Sequence, residues 1–152
     1  MELKYSYNDG GRSNYFKGKS GDCVVRAIAL ATGEDYKVIY DQLTQANKLY
    51  IEKKNTKLAK QLRNTKSKKS GTPRGGNFPE VYKPFLKAKG WEWVSLMKFG
   101  SGERTKLDQL THLNNIIVAV PKHLLCMKEG IVLDTWDSRY SEWLGVTSVK
   151  TA

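Results

Sequence analysis

The sequence predicts an α+β domain, and three observations carry that reading. Apolar residues recur at helical spacing in the first part of the chain. A continuous apolar run, Asn115 to Val120, suits a strand buried on both faces. Two further strand-like runs then follow around a tight turn. Helices first and a small antiparallel sheet last define the class. A chain of 152 residues fits one domain with a real core, and it shows no internal repeat and no second domain.

Residues 1–20 are polar and rich in turn formers, with Asn8-Asp9-Gly10-Gly11 and Lys17-Gly18-Lys19-Ser20-Gly21, so an irregular lead-in is expected. Asp22 is a suitable N-cap for a helix over Cys23 to Thr32, and Gly33 a suitable residue to end it. A second helix is predicted from Glu34-Asp35, with Tyr36, Ile39, Tyr40, Leu43 and Ala46 on its buried face. From 53 to 77 the apolar pattern thins into a basic mobile loop, in which Leu58 and Leu62 support at most a short helix. Pro79-Glu80 opens another short helix that closes at Gly90. Trp91 to Phe99 reads as a strand, and Lys106 to Leu113 as a helical turn or two. His123 to Met127 and Ile131 to Trp136 read as strands around a Lys128-Glu129-Gly130 turn.

Composition narrows the function classes. Hydrophobic content of 39% with 11% aromatics belongs to a folded chain. The longest apolar runs fall short of the roughly 18 residues that a membrane span needs, so no membrane role is expected. The start, Met1-Glu2-Leu3-Lys4-Tyr5, has no signal-peptide core. Two cysteines are too few for a disulfide scaffold, and a reducing cytoplasm is the expected location. No Cys/His ligand spacing appears, so neither a metal nor an organic cofactor is expected.

The chemistry concentrates at Cys23. In the first turn of a helix, unpaired N–H groups and the positive end of the dipole favour a thiolate. Such a thiolate needs a base, and the chain has two histidines. His112 lies at a helix end or loop and suits a surface role. His123 opens a strand. With Glu129-Gly130 as the turn residues, Lys128 pairs with Ile131 and His123 falls opposite Trp136. Asp134 then shares a face with His123, diagonally adjacent, whereas Asp137 has the opposite parity and stands as runner-up. The expected roles are Cys23 as nucleophile, His123 as base and acid, and Asp134 as the group that orients the ring. The Cys23 N–H supplies one oxyanion donor, and Trp136 shields the polar pair or lines a substrate cleft. Cys126, on the opposite face from His123, is expected in the core.

These residues also carry a family resemblance. Cys23 on an early helix, His123 opening a strand and Asp134-Thr135-Trp136 on the next resemble the papain-like cysteine peptidase fold. The closer likeness is to small C39-like peptidase-type proteins of bacteria and phages. It rests on Gly21-Asp22-Cys23 with Arg26-Ala27-Ile28-Ala29, on Trp91-Glu92-Trp93-Val94, on Lys122-His123-Leu124 and on Asp134-Thr135-Trp136-Asp137-Ser138. The resemblance implies a thiol hydrolase or acyl-transfer enzyme acting on a peptide or isopeptide bond of a peptide or protein. It also implies a glutamine six residues before the cysteine, as second oxyanion donor. Lys17 stands there instead, so Asn14, Lys17 or Lys19 is left to substitute.

The net charge of +11 is not spread evenly. Lys48 to Arg74 holds ten basic residues and one acid, Glu52, and so carries +9, leaving about +2 for the rest. Lys53, Lys54, Lys57, Lys60, Lys66, Lys68 and Lys69 are the candidate polyanion contacts. Tyr50 is the one aromatic among them, so any nucleic-acid binding is expected to be sequence-independent and salt-sensitive. The alternative expectation is thus an inactive papain-like module whose basic segment binds nucleic acid or an acidic host protein. Nothing in the sequence indicates an oligomeric state.

Overall fold

The structure, a computed structural model, describes residues 2–17, 21–53, 56–64, 79–95, 107–120, 123–139 and 147–151, with side chains not described at 62–64, 93–95 and 147–151. Along the chain these form β1 (Lys4–Tyr7), α1 (Cys23–Thr32), α2 (Tyr36–Lys53), α3 (Lys57–Asn64), α4 (Pro79–Ala88) and β2 (Trp91–Ser95). Then come β3 (Asn115–Val120), β4 (His123–Lys128), β5 (Ile131–Asp134) and β6 (Thr147–Thr151), with 3-10 turns at Arg12–Asn14 and Leu107–Leu110.

The α+β class holds, but the sheet is mixed rather than antiparallel. Its six strands run in the order β1-β5-β4-β3-β6-β2. Only β1 breaks the antiparallel pattern, pairing parallel to β5 with Lys4 beside Ile131 and Tyr7 beside Asp134. The expected irregular lead-in therefore begins as an edge strand. Lys4, Ser6 and Tyr7 are exposed and Tyr5 is half-buried, so no apolar alternation marks it. Its Lys4 N–H donates to the Gly130 carbonyl, and the Asn8 N–H donates to the Asp134 carbonyl at 2.9 Å. The chain start is thus fastened along β5 to its end.

The β4–β5 hairpin has the expected register. Lys128 pairs with Ile131, Met127 with Val132 and Cys126 with Leu133. Glu129 (φ 49°) and Gly130 (φ 78°) both take positive φ, as a type I′ turn requires. One residue more or fewer in that turn would reverse the face of every β5 side chain.

Two cores lie on opposite faces of the sheet. On one face α1, α2 and α4 bury Val25, Ile28, Ile39, Leu43 and Leu86 against Ile117, Leu124 and Cys126. On the other, Leu3, Leu107 and Leu110 cover Ile116, Val118, Leu125, Met127 and Val132. Strand β3 contributes to both, as its unbroken apolar run implies. Each fully buried Ile or Leu contributes about 2 kcal/mol of transfer free energy. Helix α1 stops at Gly33 (φ 73°), whose N–H donates to the Ala29 carbonyl at 3.0 Å.

The basic stretch 53–77 is not a loop throughout. Lys53 ends α2, and Lys57–Asn64 is helical. Ala59 is buried with Tyr50 and Val81, and Leu58 packs beside them, which gives α3 the apolar seat that a loop would lack. Lys53, Lys57 and Lys60 are exposed, while Lys54, Lys66, Lys68 and Lys69 lie outside the described residues. Among the described residues no helix is long and apolar enough to cross a membrane.

Candidate active site

Helix α1 lies across β4, which brings the first residue of the helix to the first residue of the strand. Cys23 is half-buried there, and the His123 side chain lies close enough to its thiol to favour the thiolate. His123 Nε2 lies 2.6 Å from Asp134 Oδ2. An imidazole has two nitrogens, so with Nε2 on the carboxylate Nδ1 is the one left for the sulfur. The structure thus brings Cys23, His123 and Asp134 into one line. Asp137 stays apart, exposed and paired with Arg139 at 2.7 Å.

Asp134 is held on every side. Oδ2 also accepts from Ser138 Oγ at 3.2 Å, while Oδ1 accepts from Arg26 Nη1 at 3.0 Å and from its neighbour, the Thr135 N–H, at 2.8 Å. A carboxylate with such donors stays ionised and cannot rotate away from the imidazole. Burial alone would raise its pKa, but the His123 bond and charge, the Thr135 N–H and Arg26 together lower it.

Arg26 extends the line into the protein. It is the only charged residue of α1, one turn beyond Cys23, and it is buried. Its Nη1 donates to Thr135 Oγ1 at 2.6 Å, and its Nε donates to Asp22 Oδ1 at 3.1 Å. Asp22, 1% exposed, also pairs with Arg12 Nε at 2.8 Å and takes a short hydrogen bond from the Tyr36 hydroxyl. Asp22 does stand at the N-cap of α1, but it makes no side-chain capping bond. The first bond of the helix runs from the Arg26 N–H to the Asp22 carbonyl, so the N–H groups of Cys23, Val24 and Val25 have no acceptor within α1.

The titration of the pair follows from these contacts. Burial would raise the Cys23 thiol, yet the hydrogen bond and charge of His123, the Leu124 N–H and the Arg26 charge lower it. Burial would likewise lower His123, but the bonds to Asp134 and Cys23 push it up to about 9. A lowered thiol beside a raised imidazole shifts the pair toward thiolate and imidazolium. Cys126 behaves oppositely. It is 0% exposed in the core, and burial pushes its thiol up to about 12.

The remaining expected residues divide. Trp136 is 47% exposed, its ring centroid 5.1 Å from that of His123, and it borders a groove of about 760 Å³. Lys17, exposed, lines the same groove. Asn14 is exposed on the 3-10 turn and is not among the groove's lining residues, and Lys19 lies outside the described residues. His112 is exposed at the surface. Among the described residues no group of three or more His, Cys, Asp or Glu side chains is placed to hold a metal ion.

Sequence reasoning gave Arg26, Arg12, Tyr36 and Ser138 no part in the site's hydrogen bonds and ion pairs. A signal existed for Arg26, since a single charge within Val24-Val25-Arg26-Ala27-Ile28-Ala29 must meet an anion once that helix is buried. No protein-family model, no curated protein and no solved structure matches this chain.

Proposed function

We propose that this chain is a papain-like thiol hydrolase or acyl-transfer enzyme acting on a peptide or isopeptide bond. The single observation that carries the reading is the line Cys23–His123–Asp134, with the sulfur at a helix start and the imidazole held by a buried carboxylate. A structural cysteine needs neither partner.

In this reading the Cys23 thiolate attacks the carbonyl carbon, and the Cys23 N–H stabilises the oxyanion. As the C–N bond breaks, the His123 imidazolium gives its proton to the leaving amine, and a thioester remains on Cys23. Water, or an acceptor amine, then attacks the thioester while His123 takes its proton, which regenerates thiolate and imidazolium. Asp134 keeps Nε2–H engaged throughout and so holds Nδ1 toward the sulfur. Lys17, which lines the groove, occupies the sequence position, six residues before Cys23, at which the resemblance expects the second oxyanion donor.

The test is the pH dependence of Cys23 alkylation by iodoacetamide, followed by mass spectrometry. Rapid labelling of Cys23 over Cys126 below pH 7, slowed by His123→Ala, is the expected result. Labelling that rises only near the free-thiol value of about 8.5 and ignores His123 would refute the enzyme reading. Exposed Lys53, Lys57 and Lys60 would then direct attention to the second reading, an inactive module that binds nucleic acid or an acidic protein. A cytoplasmic location is part of the same proposal.

A further inference from the structure

The groove beside His123 carries more than a wall for the imidazole, and any substrate role for it rests on the thiol-hydrolase reading. Five large apolar side chains are exposed among the described residues, and two of them, Tyr7 (67%) and Trp136 (47%), border this groove. Neither belongs to a core cluster of the protein. Their placement is fixed by the sheet. Tyr7 ends β1 in register with Asp134, and Asp134 leads directly into Thr135 and Trp136. Two aromatic rings thus remain in water on one groove, Trp136 beside the proposed nucleophile's base, at a cost in exposed apolar area that the fold does not recover.

The polar lining has a sign. Asp22 is buried and already engaged by Arg12, Arg26 and Tyr36. Asp9 accepts the N–H groups of Gly11 and Ser13, each at 3.0 Å, to its two oxygens. Asp22 is therefore committed to the protein's own cations, whereas Asp9 keeps its charge and pairs with none of them among the described residues. Lys17 is exposed and makes no ion pair among the described residues. Arg12 and Arg26 face Asp22 inside the protein, so Lys17 is the exposed cation of the lining at which an acidic ligand finds its counter-charge.

We propose that this groove takes the part of a peptide substrate in which a large apolar side chain neighbours a carboxylate. The apolar group lies against Tyr7 and Trp136, and the carboxylate meets Lys17.

Protection of Cys23 from iodoacetamide tests this without requiring turnover. The probes are acetylated and amidated hexapeptides with Phe-Glu at the centre, or with Phe-Lys or Ala-Glu in its place. The concentration that halves the Cys23 alkylation rate is expected to be about fivefold lower for the Phe-Glu peptide, the factor of one exposed ion pair. Lys17→Glu is expected to invert the order, and Tyr7→Ala to abolish the advantage of Phe over Ala in the probe. Equal protection by both peptides, or an order that Lys17→Glu leaves unchanged, would overturn the substrate assignment alone. Cys23 that alkylates slowly at neutral pH even without peptide would overturn the hydrolase reading beneath it.

Discussion

Replacing Asp134 by asparagine separates the charge of the third group from its shape. The amide keeps an acceptor for His123 Nε2–H, as the carboxylate provides at 2.6 Å, but removes the negative charge beside the ring. His123 titrates at about 9 in place of 6.5. That interval is worth about 3 kcal/mol of preference for the imidazolium, at about 1.4 kcal/mol per pH unit. Asp134 and Cys23 both raise the imidazole's pKa, the hydrogen bond that Nε2–H donates to Asp134 most strongly. The imidazole of Asp134→Asn is therefore expected to titrate more than about one pH unit lower. The thiolate loses its counter-ion over the same interval, so Cys23 alkylation should begin at higher pH. The assay is an NMR titration of the imidazole nitrogens, assigned with a His112→Gln control, alongside the alkylation profile. An imidazole still titrating near the wild-type value in Asp134→Asn would refute the assignment of the shift to this carboxylate.

The other predictions bear on stability and on the neighbouring charges. His123 has a raised folded-state pKa, so the stability it adds is complete below its ordinary value of 6.5 and is lost as pH rises through about 9. The difference in Tm between wild type and His123→Ala should narrow between pH 7 and 10, and a constant or widening difference would count against the charged imidazole. Arg26→Met leaves Asp22 and Asp134 buried without their shared guanidinium and is expected to lose about 3–5 kcal/mol in urea unfolding. Lys37→Met breaks an exposed pair with Asp41 and the contact of its ammonium with the Tyr40 ring, 5.0 Å to the centroid, and a loss above about 2 kcal/mol there would be unexpected. Gly10→Ala forces a side chain at φ 70° with its Cβ 3.1 Å from the Arg26 carbonyl oxygen, a tight contact that the backbone must relieve by a small displacement. A loss of about 1–2 kcal/mol is expected from the backbone alone, read as a lower urea midpoint.

What the sequence revealed about this fold was local. The bounds of α1 follow from Asp22 and Gly33, and the hairpin register from Glu129-Gly130, because capping and turn chemistry act within a few residues. From that register the pairing of His123 with Asp134 followed without any tertiary information. Strands β1 and β6 were not legible. Lys4-Tyr5-Ser6-Tyr7 has no alternating apolar face, and its parallel partner, β5, lies at the far end of the chain. Asp22 shows the same limit at a single residue. Local rules make it a cap, but Arg12, Arg26 and Tyr36 converge on its carboxylate, two of them from outside α1, and take it away from the helix N–H groups.

That diversion bears on the chemistry. An Asp22 side chain bonded back to α1 would occupy the N–H groups beside the sulfur and set a negative charge against the thiolate. Turned inward, it joins a buried set in which Arg12 and Arg26 balance Asp22 and Asp134. A proton passed from Cys23 to His123 then adds two opposite charges in contact and no net charge, which limits the cost of burying them. The two cysteines of this chain show how much depends on such partners. Cys126 packs among apolar neighbours, and burial carries its thiol to about 12. Cys23 is also sheltered from water, yet its pKa moves the other way. What separates them is the imidazole, the Leu124 N–H and the Arg26 charge, each of which favours the thiolate.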